Sequence, residues 1–305
     1  MPRWMPAAMS ADLSQTHRPL LGAIEAGGTK FVLGVGHGPD DIVAQRQIAT
    51  RDPETTLAET IAFFREHPGL AAIGIGSFGP LERVVGHPKW GHILATPKPG
   101  WSDCDLAGTI ARAFDVPVAF DTDVNAAALA EARVGAARDT GASVYVTIGT
   151  GIGGGVIADG RIVGGRGHPE LGHMRPRRAA DDRDFAGVCP FHGDCLEGLA
   201  SGPAIIARWG QSLSHLAADH PAHGIIAGYL AEMCNTLRAA IAPDAIVLGG
   251  GVMGTPGLFE RIVEAAYATD GGYFALPAGQ VIRRPALAPV SGLAGAFVLA
   301  ADLIA

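Results

Sequence analysis

The feature that most restricts how this chain folds is a pattern that occurs twice. Leu21-Gly-Ala-Ile-Glu25-Ala-Gly27-Gly28-Thr29-Lys30-Phe-Val-Leu-Gly-Val35 is an apolar run, a Gly-Gly-Thr turn and a second apolar run, which reads as a β-hairpin. Val144-Tyr-Val-Thr-Ile148-Gly149-Thr150-Gly151-Ile-Gly153-Gly154-Gly155-Val-Ile-Ala158 restates it more than a hundred residues later. Solenoid repeats recur every ~20–50 residues, so this interval marks a duplicated domain rather than a stacked array. At about 150 residues per domain, a chain of 305 residues has room for two.

The segments between agree with an α/β reading. Ile42 to Ile48 extends the first hairpin. Thr55 to Glu66 has helical spacing, with Leu57, Ile61 and Phe64 on one face and Pro68 beyond its end. Ala71 to Ile75 and Val116 to Phe120 read as buried strands. An Ala-rich helix over Ala126 to Gly135 follows, with Asn125 as its expected N-cap. A helix over Ile225 to Ala242 leads to a third glycine turn, Ile246-Val-Leu-Gly249-Gly250-Gly251, and Gly292 to Ile304 reads as a closing helix. Arg161 to Glu197 lacks periodicity and reads as an irregular insertion. Two related α/β halves with their glycine turns aimed at one cleft is the simplest architecture.

Glycine is in excess, 43 of 305 residues, about twice the usual ~7%. In a tight turn it leaves main-chain N–H groups free and lets a phosphate approach without meeting a Cβ. Any one such turn could equally end a strand and bind nothing, but three in two similar halves favour a nucleotide. The P-loop pattern is absent. A Rossmann reading fails because Val156-Ile157-Ala158, after the second turn, is strand-like.

Two further groups could carry chemistry. Asp121 and Asp123 close a strand ahead of a helix, where an ionised carboxylate is favoured. Helix capping is the preferred reading for Asp121; for Asp123, base and cap both stay open. Cys189-Pro-Phe-His192-Gly-Asp-Cys195 gathers three metal ligands, and His173 or His168 can complete a tetrahedral zinc site. Glu170 and Glu197 flank that cluster, either aimed at a polyol by it or solvated.

Lys+Arg 23 against Asp+Glu 30 gives a charge of −7, a poor match for a phosphate backbone, so nucleic acid is not an expected partner. No run approaches about 18 apolar residues free of glycine and charge, so no membrane span is expected. Four cysteines in a chain of this length do not suit a disulfide scaffold. Cys104 and Cys234 read as ordinary buried thiols. Residues 1–19 read as a flexible leader without a signal peptide's apolar core. A cytoplasmic protein is the expectation.

In order and together, these motifs resemble the ROK family of sugar kinases, of the actin/hexokinase-like superfamily, from about Gly22 onward. The resemblance rests on Gly27-Gly28-Thr29-Lys30, Asp121-Thr122-Asp123-Val124-Asn125, Gly149 to Gly155, Glu170-Leu-Gly172-His173 and the Cys189 to Cys195 knuckle. Three departures stand out: Glu25 where much of the family has Asp, Thr122 where Asn is common, and His192 in place of a cysteine. Glu25 and His192, with Ser77-Phe78-Gly79-Pro80 and Thr96-Pro97-Lys98-Pro99-Gly100-Trp101, resemble the family's bacterial fructokinase branch.

The resemblance implies two duplicated ribonuclease H-like domains around a nucleotide/sugar cleft, with a zinc-containing insertion at about 164–198. Residues 20–121 plus 290–305 would form the N-terminal lobe and 122–289 the C-terminal lobe. The implied activity is ATP-dependent phosphorylation of a hexose, fructose first, with mannose and glucose as alternatives and a non-catalytic sugar sensor as the rival. Asp123 would be the general base. Ser77, Phe78, Gly79, Asn125, Glu170, His173 and Glu197 would hold the hexose. ATP would lie along Gly27, Gly28, Thr29, Lys30, Gly149, Thr150, Gly151, Gly249, Gly250 and Gly251, with Mg²⁺ on its phosphates. Zinc would sit on His173, Cys189, His192 and Cys195. A homodimer is the implied assembly. The repressors of this family would need a helix-turn-helix, for which residues 1–19 offer no room.

Overall fold

The computed structural model describes residues 18–165 and 167–305; most of the expected leader therefore lies outside the described residues. The chain runs β1 (Leu20–Ala26), β2 (Lys30–Gly38), β3 (Asp41–Ala49), α1 (Pro53–Arg65), β4 (Leu70–Ser77), β5 (His92–Ile93), β6 (Cys104–Asp105), α2 (Leu106–Phe114), β7 (Val118–Thr122) and α3 (Asp123–Arg133). It continues through β8 (Ala142–Ile148), β9 (Ile152–Ala158), β10 (Arg161–Ile162), α4 (Leu196–Ala200), α5 (Gly202–Trp209), α6 (Ala222–Ile241), β11 (Ala245–Gly249), α7 (Leu258–Thr269), α8 (Ala278–Val281), β12 (Ile282–Arg283) and α9 (Ser291–Asp302).

Two five-stranded mixed sheets result, in the orders β3-β2-β1-β4-β7 and β10-β9-β8-β11-β12. In the first, β1 pairs antiparallel with β2 and parallel with β4; in the second, β8 pairs antiparallel with β9 and parallel with β11. The repeat read from the sequence is thus a repeat of topology. The inner strands β1, β4, β8 and β11 are apolar and largely buried, as expected where both faces of a sheet are covered, whereas the edge strand β3 is polar and mostly exposed. Alternation divides them: Val144, Val146 and Ile148 pack toward α6, whereas Tyr145 faces Ala127, Ala128 and Leu129 of α3.

The final helix does not stay with the strands that precede it. Leu293, Ala296 and Phe297 of α9 pack on Leu21, Ala23 and Ala72 of the first sheet, while α3, which follows the first sheet, packs on β8 and β9 of the second. The two helices also contact each other. Glycine permits this crossing: a Cβ at Gly74 would strike the Ala296 carbonyl, and one at Gly295 the Ala126 carbonyl. The first residue of α3 is therefore held where the two sheets meet.

Candidate active site

That residue is Asp123. The expectation of a helix from Ala126 capped by Asn125 is corrected, since α3 starts at Asp123 and Thr122 is its cap, Oγ1 accepting from the Asn125 N–H at 3.1 Å. The capping expected of Asp121 is also corrected. Its carboxylate instead accepts from the Thr122 N–H, from Asn125 Nδ2 and from Arg83 Nη1, each at 2.7 Å. Asp123 is half-buried and accepts only the Val124 N–H, at 2.9 Å. Burial pushes its carboxyl up to about 7, and the negative charge of Glu25 adds to the shift. Glu25, at the end of β1, is itself pushed up by burial, with Lys30 working against it.

Asp123 and Glu25 line a cavity of about 380 Å³ together with Tyr145, Thr147, the third glycine turn Gly249 to Gly251, and Pro285, Ala288, Pro289, Ser291 and Gly292. Carboxylates from the first sheet and its helix thus share one hollow with a glycine turn from the second. A half-buried carboxylate poised near neutrality beside exposed main chain is the equipment of a general base.

The first two glycine turns connect β1 to β2 and β8 to β9. The first is closed by the Gly27 N–H donating to the Lys30 carbonyl at 2.9 Å, with Gly28 and Thr29 exposed at its tip. Thr50 braces it, its N–H donating to the Thr29 carbonyl and its hydroxyl to that of Gly27. Lys98 Nζ donates to the Thr50 carbonyl and Trp101 Nε1 to that of Arg51, so the Thr96 to Trp101 motif stands behind the first turn. Lys30 points instead to Gln47 Oε1, 3.1 Å away. The second turn is braced by Glu197, whose Oε2 accepts the Ile152 N–H at 2.9 Å, and by the Gly202 N–H on the Gly149 carbonyl at 2.8 Å. It lies against the third, the Gly251 N–H being 3.9 Å from where a Gly149 Cβ would stand.

The residues assigned to a hexose are more dispersed. Ser77 and Asn125 are fully buried, the former at the end of β4 beside α3, the latter under Gly155 of β9. Phe78 continues the sheet through its N–H to the Ala26 carbonyl and packs its ring on Trp101 at 5.6 Å. Gly79 follows it. Glu170 is exposed and pairs with His168 at 3.3 Å. His173, Cys189, His192 and Cys195 do converge, all four donor atoms lying within 4.8 Å of one another. His173 Nδ1 is 3.5 Å from Cys195 Sγ and 3.9 Å from Cys189 Sγ, and His192 Nδ1 is 3.7 Å from Cys189 Sγ. Ligands about 2.0–2.3 Å from one tetrahedral zinc stand about 3.3–3.8 Å apart, so nitrogen and sulfur donors at these spacings fit that ion. His168 lies outside the group. Cys234 is buried and Cys104 half-buried, with burial pushing their thiols up to about 12 and about 11.

Residues 21–303 match the ROK family. The chain belongs to that family. Among its relatives, the fructokinase of Zymomonas mobilis is 45% identical over 291 residues, covering 93% of this chain and 97% of that protein. The fructokinase of Pediococcus pentosaceus is 46% identical over 282 residues, covering 92% and 97%. In structure the chain is similar to the ROK hexokinase of Thermus thermophilus, with a TM-score of 0.75, 29% identity and coverage of 93% and 99%. Among the described residues no helix is long and apolar enough to cross a bilayer.

Against this ROK frame, several residues at the site escaped the sequence. Tyr145 and Thr147 reach the cavity only because the register of β8 turns them toward α3. Glu131, near the other end of α3, is buried with no cationic partner among the described residues. It accepts from the N–H groups of Ala136, Ala286 and Leu287 and from Ser291 Oγ, at 2.7–3.1 Å, and so fastens the 285–292 wall of the cavity to the helix bearing Asp123. A glutamate in an Ala-rich helix gives no sign of such partners until the chain is folded.

Proposed function

We propose that this protein is an ATP-dependent hexose kinase whose acceptor is fructose. The observation that carries the reading is Asp123, a half-buried carboxyl pushed up to about 7 and without a salt bridge among the described residues, in a hollow where both sheets meet. Its ionised form takes the proton from the attacking sugar hydroxyl. The glycine turns at 27–29, 149–151 and 249–251 receive the phosphates of ATP through their main-chain N–H groups, with Lys30 able to leave Gln47 for them. Phosphoryl transfer passes through a loose transition state, so the protein chiefly positions the reactants and neutralises charge. Mg²⁺ supplies that neutralisation when bound, with Glu25 the side chain best placed to orient its shell.

The two lobes, 20–121 plus 290–305 and 122–289, are a duplicated ribonuclease H-like pair of the actin/hexokinase type. The matching strand orders and the return of α9 to the first sheet support that division. Zinc held by His173, Cys189, His192 and Cys195 would pin the insertion at about 164–198, the four donors making it a structural rather than a catalytic ion. His173, Glu170 and Glu197 turn toward the hexose, above the Ser77 to Gly79 loop and Asn125. The 41–46% identity to curated fructokinases supports fructose over mannose or glucose.

The test is ADP release from ATP with fructose, mannose and glucose as acceptors. Asp123→Asn is expected to lower kcat by about 10²–10⁴-fold while nucleotide binding persists. Because the carboxylate is the active form and its pKa is raised, kcat/KM should fall tenfold per pH unit below about 7 and level off above it. A variant retaining more than a tenth of the wild-type kcat rules out the base.

A further inference from the structure

We infer that Arg83 is a positioning residue that latches the hexose-side flap onto the wall bearing Asp123, an inference that rests on the kinase reading above. Arg83 belongs to the excursion after the Ser77 to Gly79 loop. That excursion folds back through the Glu82 N–H on the His92 carbonyl and the Leu94 N–H on that of Pro80. Its side chain is only 12% exposed. One guanidinium nitrogen is committed: Nη1 donates to Asp121 Oδ2 at 2.7 Å. The other oxygen of that carboxylate holds the Thr122 N–H and Asn125 Nδ2, so Arg83 is joined through Asp121 to residues on either side of Asp123.

The rest of the guanidinium faces the flap. Nη2 lies 3.4 Å from the Gly167 carbonyl and 2.7 Å from where a Gly164 Cβ would stand. This is the strand of chain that leads into Glu170 and His173. Nε is buried with no acceptor among the described residues. Asp121 thus holds Arg83 firmly, the flap holds it by one long bond, and a donor remains unspent.

Buried donors are costly when unpaired, and hydrogen bonds that are long in an unliganded site commonly tighten when the ligand binds. An advance of the Gly164 and Gly167 main chain toward Arg83 shortens the long bond and brings acceptors toward Nε. A hexose held between Glu170 or His173 and the Asp123 wall favours that advance. Arg83 therefore stabilises the closed, sugar-bound arrangement more than the open one, which is the condition for shifting a population. Lysine cannot reproduce it, having one point charge where two directions must be served.

The test compares steady-state kinetics of Arg83→Lys, Arg83→Gln and Gly164→Ala with the wild type. Gly164→Ala crowds the guanidinium and the Gly167 carbonyl from the flap side while keeping both Arg83 and Asp121, so it remains informative if Arg83→Gln folds poorly. Arg83→Gln should raise KM for fructose by about tenfold, with KM for ATP within about twofold. Arg83→Lys should give a smaller rise. Gly164→Ala should raise fructose KM with KM for ATP within about twofold, and adding it to Arg83→Gln should raise fructose KM no further. Unchanged fructose KM in both Arg83→Lys and Gly164→Ala overturns the latch, as does an equal rise in KM for both substrates. A wild-type protein inactive on every hexose sinks the kinase reading and the latch with it; an active wild type with unaffected variants sinks the latch alone.

Discussion

The two sheets share one topology, but the long excursions attached to them are held by different physics. The first, between β4 and β7, contains Trp101, which is fully buried against Phe31 and Phe78 at ring separations of 5.5 and 5.6 Å. The second, between β10 and α4, offers few apolar anchors. Arg178, Arg208 and Tyr229 surround Asp182 there, with the Tyr229 hydroxyl donating to its Oδ2 at 2.5 Å, and four sulfur and nitrogen donors meet at the knuckle. The first excursion is an extension of a hydrophobic core. The second is a polar flap in which four converging Cys and His donors stand where the first has an indole.

The largest expected effect follows from that contrast. Exhaustive chelation should detach the flap and abolish fructose binding while nucleotide binding and the first excursion survive. Structural zinc contributes about 10–16 kcal/mol in small zinc-binding peptides. Binding of fructose and of a non-hydrolysable ATP analogue by calorimetry, with limited proteolysis between 163 and 198, reads the outcome. Chelated protein that binds fructose as the untreated protein does would remove the zinc from the argument.

Trp101→Ala tests the other half. It empties a fully buried indole site and removes a donor from the Arg51 carbonyl. A loss of about 3–5 kcal/mol in unfolding free energy is expected from denaturant titration. Because Arg51 and Thr50 stand behind the first glycine turn, KM for ATP should rise more than KM for fructose. A change confined to fructose would mean that this excursion serves the sugar rather than the phosphates.

How far the sequence alone reaches follows the same division. The hairpins, β4, β7, α1, α6 and the Cys/His knuckle were legible because their signals are local: alternation, helical period, glycine turns and ligand spacing. The start of α3 was misplaced because Asp121, Thr122 and Asn125 are all good capping residues. Arg83, distant in sequence, together with Asn125 Nδ2 and the Thr122 N–H, occupies the Asp121 carboxylate, and the cap falls to Thr122. Glu197 was legible as a carboxylate near the Cys/His knuckle, but not as the acceptor for Ile152 on the second turn. Tyr145 and Glu131 were illegible, since their roles come from the packing of α3 against β8 and from the returning 285–292 segment.

The smallest expected effect compares the two hairpin turns directly. A Cβ at Gly28 meets nothing within 4 Å, whereas one at Gly151 would stand 2.7 Å from Glu197 Oε2. Gly28→Ala should therefore leave stability nearly unchanged, and any penalty should appear in KM for ATP, because the added methyl occupies space a phosphate would approach. Gly151→Ala should push Glu197 away from the Ile152 N–H and lose about 1.5–3 kcal/mol, the scale of a hydrogen bond to a charged group. Glu197→Gln in the Gly151→Ala background separates the causes. If the carboxylate contact is what the methyl breaks, the second substitution adds little; if the losses add, strain in the turn itself is responsible, and the two hairpins differ in backbone rather than in what braces them.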